Sequence, residues 1–276
     1  MKNIKLSCPA KLNLNLSIIK KRIDGMHDIE SQFQLINLFD EMCIKKSCDK
    51  SNNIQTNLKD LIDDEKNIVF EAINELSRYV GKKIYCDIKI TKNIPIGGGL
   101  GGGSSNAAGA LIGINYLFKL GLSSKELTSI GKSLGADVPF FVFGKNAWAS
   151  GIGDNLIEEK NFSKKKYLLL FPQINSATKE LFFEWDKLDI NSQKKIQLNE
   201  ENSFFPLFLE KNKDLNKVIQ NLTKMIPLRL SGTGSTMFCE YDDPEEIEKT
   251  LKKIPCKWRH SFCEPLQCSP LLRYIK

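Results

Sequence analysis

The sequence predicts an α+β fold, and two observations carry that prediction. Strand-like segments alternate apolar and polar residues: positions 11–18 read K-L-N-L-N-L-S-I, which puts Leu12, Leu14, Leu16 and Ile18 on one face. Helix-like segments at 66–81, 107–120 and 123–134 are interleaved with them. A doubly wound parallel sheet would show continuously apolar strands instead, because helices cover both of its faces. The 276 residues are 41% hydrophobic with 16 Phe, enough for a sizeable core, which excludes intrinsic disorder.

Taken in order, 11–18 is a strand and 22–28 (R-I-D-G-M-H-D) a polar turn. Residues 31–39 and 41–45 continue as strand, 66–81 as an amphipathic helix, and 85–90 alternates again. A glycine-rich run precedes the helix at 107–120. The helix at 123–134 is stopped by Gly135, and 138–150 returns to strand. Composition shifts near 158, where 161–166 is a polar, basic connection. Beyond it, 167–171, 228–230 and 237–241 read as strand, and 178–187 and 213–225 as helix. Two domains, 1–158 and 159–276, are expected.

Lysine plus arginine less the acidic residues is 40 − 33 = +7. Such a balance suits anionic ligands, phosphorylated metabolites and nucleic acid alike. A basic–aromatic platform and an RNP-type segment are both missing, which argues against nucleic acid. The apolar runs 138–143 and 167–171 fall far short of the ~20 residues of a membrane helix. Lys2, Lys5 and Lys11 interrupt the N-terminal segment, so no export signal is expected and the protein is read as cytoplasmic. The eight cysteines form no CxxC pair and only His27 and His260 accompany them, so metal-ligand spacing is absent and reduced, structural thiols are expected.

The chemistry concentrates in Pro95-Ile-Gly-Gly-Gly-Leu-Gly-Gly-Gly-Ser-Ser-Asn-Ala-Ala108. Six of residues 97–103 are glycine, so the backbone can approach a ligand closely. Ser104, Ser105 and Asn106 are good N-cap residues for the helix that follows. A bare backbone feeding a helix N-terminus suits phosphate. It is no Walker A loop, since no Lys follows the glycines. The dinucleotide pattern G-x-G-x-x-G is met trivially, but a second helix carrying Glu126 stands where that fold needs a strand ending in an acid. The protein-kinase signatures HRD and DFG are absent.

This run resembles the second motif of the galactokinase, homoserine kinase, mevalonate kinase and phosphomevalonate kinase superfamily. Pro9-Ala-Lys-Leu-Asn-Leu14 resembles its first motif and Leu230-Ser-Gly-Thr-Gly-Ser-Thr236 its third. Within the superfamily, PAKLNL at the N-terminus, Asp24-Gly-Met-His27 and Leu134-Gly-Ala-Asp-Val-Pro139 are similar to the 4-diphosphocytidyl-2-C-methyl-D-erythritol kinase family. The resemblance spans roughly residues 5–272. It implies a two-domain small-molecule kinase fold, with a ribosomal-protein-S5-like N-terminal domain and the active site between the domains. It also implies ATP-dependent phosphorylation of a cytidine-diphosphate-linked sugar alcohol in isoprenoid precursor synthesis. A superfamily kinase acting on another small alcohol is the neighbouring reading, and a basic nucleic-acid-binding protein the reading from another class.

The resemblance implies site residues one by one. Lys11, Asn13 and Asn15 share the strand face opposite the leucines, which the pattern alone would leave as a solvated face. Lys11 and Asn13 match family positions lining the substrate site. Asp137, which the pattern alone would make a turn residue, matches the base that accepts the proton of the substrate hydroxyl. A Lys about 4 Å from such an Asp contributes roughly 4 kcal/mol of attraction at an effective dielectric near 20, keeping the carboxylate ionised and aimed. The ATP loop is carried over to Pro95, Ile96, Gly97, Gly98, Gly99, Leu100, Gly101, Gly102, Gly103, Ser104 and Ser105. His27, Thr178 and Phe182 match cytosine- and erythritol-contacting positions, and Met26 stands where the family commonly has tyrosine. ATP chemistry implies Mg2+. Ser105 is its one candidate ligand, without a carboxylate partner.

Overall fold

The computed structural model describes residues 3–58, 67–161, 164–174 and 176–275. Lys2, Lys66 at the start of the expected helix, and positions 162–163 of the basic connection lie outside the described residues. The chain runs β1 (Asn3–Asn13), β2 (Ser17–Lys21), β3 (His27–Lys46), β4 (Asn53–Thr56), α1 (Ile68–Tyr79), β5 (Cys86–Thr91) and α2 (Gly102–Phe118). It continues with α3 (Ser124–Leu134), α4 (Val138–Phe143), β6 (Ala147–Ser150) and β7 (Asn155–Glu158). These strands form one sheet in the order β4-β5-β3-β6-β7, with β1 and β2 also paired to β3. One face of it buries Leu6, Ile44 and Ile88 against Leu76 of α1 and Leu111 of α2. A Cβ at Gly113 would stand 2.6 Å from Leu6 Cδ1, so the missing side chain is what lets α2 lie directly on β1.

The second part comprises β8 (Lys166–Phe171), α5 (Thr178–Lys187), α6 (Ile190–Asn199), α7 (Phe205–Lys211), α8 (Lys213–Thr223), β9 (Arg229–Leu230), β10 (Met237–Tyr241), α9 (Pro244–Leu251) and β11 (Arg259–Cys263). Its antiparallel sheet has the order β11-β8-β10-β9. Leu168, Leu170 and Met237 pack on Trp185, Phe204 and Phe208. Tyr167, Leu169 and Phe238, on the opposite face, join Leu12, Leu14 and Leu100 of the first part. Burial on both faces explains why β8 is apolar throughout rather than alternating. The C-terminal residues return to the first sheet: the Leu266 amide donates to the Leu35 carbonyl at 2.8 Å, and Leu271 is fully buried there.

Several expected elements are corrected. Residues 11–18 are not one strand, because β1 ends at Asn13 and β2 begins at Ser17, although all four apolar residues are buried. The segments 31–39 and 41–45 belong to the single 20-residue β3. Residues 138–143 are helix, not strand: Pro139 sits at its start and Gly144, left-handed at φ 69°, ends it. An apolar run this short, buried all round, carries no period to separate the two states. Helix α2 begins at Gly102, so Ser104, Ser105 and Asn106 are first-turn residues rather than caps. Helices α6, α7 and α9 were not read from the sequence, whereas Ser123 caps α3 with Glu126 in a reciprocal box. None of the eight cysteines forms a disulfide, and burial pushes the Cys8 and Cys86 thiols up to about 12, which makes them inert. No helix among the described residues is long and apolar enough to cross a membrane.

Candidate active site

The glycine run leaves β5, passes Leu100 into the core, and enters α2. It is held from beneath. The Lys11 amide donates to Leu100 O at 3.0 Å, the Thr236 amide to Gly98 O at 3.2 Å, and Ser231 Oγ to Gly99 O at 3.1 Å. Gly99 has φ 74°, and a Cβ there would lie 2.1 Å from Ser231 O, so neither its conformation nor its position admits a side chain. Helix α2 has no side-chain cap and no acid in its first turn. Its leading amides, which lack intrahelical acceptors, therefore remain for an anion. They border a cleft of about 580 Å3 lined by Pro95, Ile96 and the loop backbone through Ser104. Lys92 lines the same cleft, a residue the sequence reading missed. Its ammonium donates to Asn106 Oδ1 at 2.8 Å and pairs with fully buried Asp40.

A second cleft of about 630 Å3 shares Gly99, Gly101 and Ser104 with the first. Lys11 and Asn13 form its floor, 4% and 2% exposed, so the strand face opposite the leucines is a buried wall and not a solvated surface. Lys11 Nζ donates to Asn13 Oδ1 at 2.5 Å, lies 3.4 Å from Asp137 Oδ2, and sits 4.6 Å from the centroid of the Phe33 ring. Asn13 Nδ2 in turn donates to Ser31 Oγ at 2.8 Å. Asp137 stands at the start of α4 without a capping hydrogen bond, its side chain one-third exposed. An oriented carboxylate open to the cleft and balanced by one ammonium can accept a proton from a bound hydroxyl.

At the far end, the His27 ring stacks on Phe182 at 4.6 Å and 24°, and Phe182 meets Phe204 edge-on at 4.8 Å. His27 Nε2 lies 2.7 Å from Asp186 Oδ1, and Lys21 Nζ donates to Asp186 Oδ2 at 2.5 Å. Burial would raise the Asp186 carboxyl, but the hydrogen bonds from Lys21 and His27 hold it below its usual range. Met26 is 46% exposed on the rim. Thr178 and Thr233 bring their hydroxyls within 2.9 Å, joining α5 to the third glycine motif.

The structure thus gathers Lys11, Asn13, Met26, His27, Asp137, Thr178 and Phe182 around one cleft, and the loop residues Pro95–Ser104 around the other. Ser105 is the exception: it is fully buried within α2, its hydroxyl has no hydrogen-bond partner, and it lines neither cleft. Asn15 also faces away, its Oδ1 accepting from the Gln32 amide at 2.7 Å. No cluster of three or more His, Cys, Asp or Glu suited to a metal exists among the described residues. Asp186, Lys21 and Lys92 carried no sequence signal, whereas Ser231 and Thr233 lay inside a quoted motif.

The family model for the GHMP kinases N-terminal domain matches residues 67–145. A 4-diphosphocytidyl-2-C-methyl-D-erythritol kinase of Acinetobacter baylyi is 36% identical over 279 residues, covering 99% of each chain. The protein of that name from Haemophilus ducreyi is 37% identical, covering 98% of this chain and 97% of its own. Two solved structures share the fold. A 4-(cytidine 5'-diphospho)-2C-methyl-D-erythritol kinase has a TM-score of 0.76 at 24% identity, covering 95% of this chain and 99% of that one. A mevalonate kinase has 0.72 at 16% identity over the same shares.

Proposed function

Because the chain belongs to the 4-diphosphocytidyl-2-C-methyl-D-erythritol kinase family within the GHMP kinases, we propose that it phosphorylates the 2-hydroxyl of 4-diphosphocytidyl-2-C-methyl-D-erythritol, using ATP, for isoprenoid precursor synthesis. One observation carries the residue-level reading: two clefts meet at the glycine loop, and the Lys11–Asp137 pair stands at that junction. We divide the chain into 1–158 and 159–276, with the last residues strapped back onto the first sheet.

In this reading the leading amides of α2 hold the ATP phosphates, and ATP supplies the transferable phosphoryl group. Asp137 accepts the proton of the attacking hydroxyl on its exposed carboxylate. Lys11, 3.4 Å from that carboxylate, orients the oxygen, while Asn13, backed by Ser31, holds the Lys11 ammonium in place. His27, Phe182 and Met26 receive the cytosine, and Thr178 the erythritol. Mg2+ accompanies the phosphates. When bound it would neutralise phosphate charge and take most of its ligands from phosphate and water, so few protein donors would be required, and Ser104 and Asp137 are two oxygen-bearing residues of the cleft that could offer them. With buried Ser105 set aside, these two fit a lightly anchored ion.

The test is a coupled assay of ATP consumption with the cytidylyl sugar alcohol, homoserine and mevalonate as alternative acceptors. Turnover dependent on the cytidylyl compound is expected. Equal or greater turnover of another acceptor overturns the assignment.

A further inference from the structure

His27 is one of only two histidines in the chain, and its ring, which lines the second cleft, is held by two neighbours. Phe182 covers one face, and the side chain is 5% exposed. Its Nε2 lies 2.7 Å from Asp186 Oδ1. Asp186 comes from α5, 159 residues away, and its other oxygen is taken by Lys21 of β2 at 2.5 Å. The two contacts therefore tie the β2–β3 hairpin of the first part to α5 of the second, beside the cleft.

The chemistry of that contact sets the ring. Lys21 and His27 hold the Asp186 carboxyl in its ionised form. An ionised carboxylate only accepts hydrogen bonds, so at 2.7 Å Nε2 must be the nitrogen that carries the proton. In a neutral imidazole with its proton on Nε2, Nδ1 is an acceptor. Among the described residues Nδ1 has no hydrogen-bond partner, and the ring lines the cleft. An acceptor at that place matches one pyrimidine edge and opposes another. The 4-amino group of cytosine donates, whereas the 4-oxo group of uracil only accepts, so uracil would meet lone pair against lone pair.

We infer that Asp186, clamped by Lys21, is a positioning residue that locks the Nε2-protonated form of His27 and thereby selects an amino-pyrimidine over an oxo-pyrimidine in the nucleotide part of the substrate. This rests on the reading that His27 meets the base. Asp186 touches neither reacting atom nor base, so its effect falls on substrate KM and base selectivity and leaves kcat alone.

Two measurements test it. First, long-range 15N–1H correlation spectra of the wild-type protein at pH 8 report which nitrogen of each ring is protonated, and with only His27 and His260 present a His27→Ala sample assigns them. The expected result is protonation of His27 on Nε2. Protonation of His27 on Nδ1 overturns the inference. Second, steady-state kinetics compare the cytidylyl substrate with its uridylyl analogue. In Asp186→Leu the cytidylyl KM is expected to rise about tenfold and the cytidylyl-to-uridylyl ratio of kcat/KM to fall about tenfold, the scale of one directed hydrogen bond, with kcat and the ATP KM unchanged. Asp186→Asn, which keeps a carbonyl acceptor, should restore most of the ratio. If His27→Ala weakens the cytidylyl substrate while Asp186→Leu leaves KM and the ratio unaltered, the inference about Asp186 is overturned and the underlying reading stands. If His27→Ala is also neutral, the base is read elsewhere and both are overturned.

Discussion

The two clefts are built from different materials. The first is a backbone site: Gly97–Gly103 and the first amides of α2 make the wall proposed to hold phosphate, and the side chains nearby mostly hold the loop from behind. The second is a side-chain site, in which Lys11, Asp137, His27 and Phe182 converge from β1, the start of α4, β3 and α5. A backbone site admits no added atom where the loop is held from behind, as at Gly99, and carries its chemistry on amides that no substitution neutralises. A side-chain site tolerates changes of shape at its rim, yet loses its chemistry when one charge is neutralised. Each should therefore break in its own way.

The largest effect is expected in the side-chain site. Asp137→Asn keeps the size of the group and removes its charge, so turnover should fall by at least ~10²-fold with ATP binding little changed. Single-turnover kinetics alongside nucleotide titration check this, and near-normal turnover in a folded variant would mean that the proton goes elsewhere. The backbone site should fail by a different route. In Gly99→Ala the new methyl meets Ser231 O and forces a left-handed residue to carry a side chain. A loss of about 2–4 kcal/mol of stability together with ATP affinity is expected, read by denaturant titration and calorimetry. Unchanged nucleotide binding would reduce the run to a hinge.

Smaller effects sharpen the contrast. Phe182→Ala should raise the cytidylyl KM by roughly tenfold, since base–aromatic stacking is worth about 1–3 kcal/mol. Met26→Ala should cost less, because the half-exposed thioether cannot stack face to face. Met26→Tyr should then tighten KM a few-fold and leave the ATP KM alone. If Phe182→Ala proves neutral, the ring under His27 supports the histidine and not the substrate. Gly103→Ala is the smallest test. Its Cβ meets only Ile68 Cγ2 at 4.0 Å, within a helix that favours Ala over Gly by roughly 0.5–1 kcal/mol. The melting temperature should rise slightly while the ATP KM worsens a few-fold. A rise in stability with unchanged KM would show that this amide does not face the phosphates.

The same contrast explains what could be read in advance. Because the backbone site is contiguous, its glycines, the strand before it and the helix after it were all legible as one run. Lys11, Asn13 and Asp137 were legible only through resemblance, since their own patterns equally describe a solvated strand face and a turn. Met26 and His27 share a motif, but Asp186 and Lys21 sit in unremarkable charged helix and hairpin positions, and nothing local separates them from surface pairs such as Lys187 with Glu184.

Periodicity and composition by themselves determined the α+β class, the capped helix α3, the amphipathic α1 and the buried leucines from 12 to 16, because each follows from local hydrogen bonding or from which face is apolar. Tertiary structure alone decided that 138–143 coil as a helix, that β1 and β2 part at Leu14–Leu16, and that Ser105 turns inward. It also decided that Lys11 is buried beside Asp137 and that His27 meets Asp186. Apolar burial is satisfied equally by a short helix or a short strand, and only the space left by neighbouring elements selects one. Contacts between residues 126 and 159 positions apart leave no period in the chain; they exist only once two sheets and their helices have been brought together around the shared clefts.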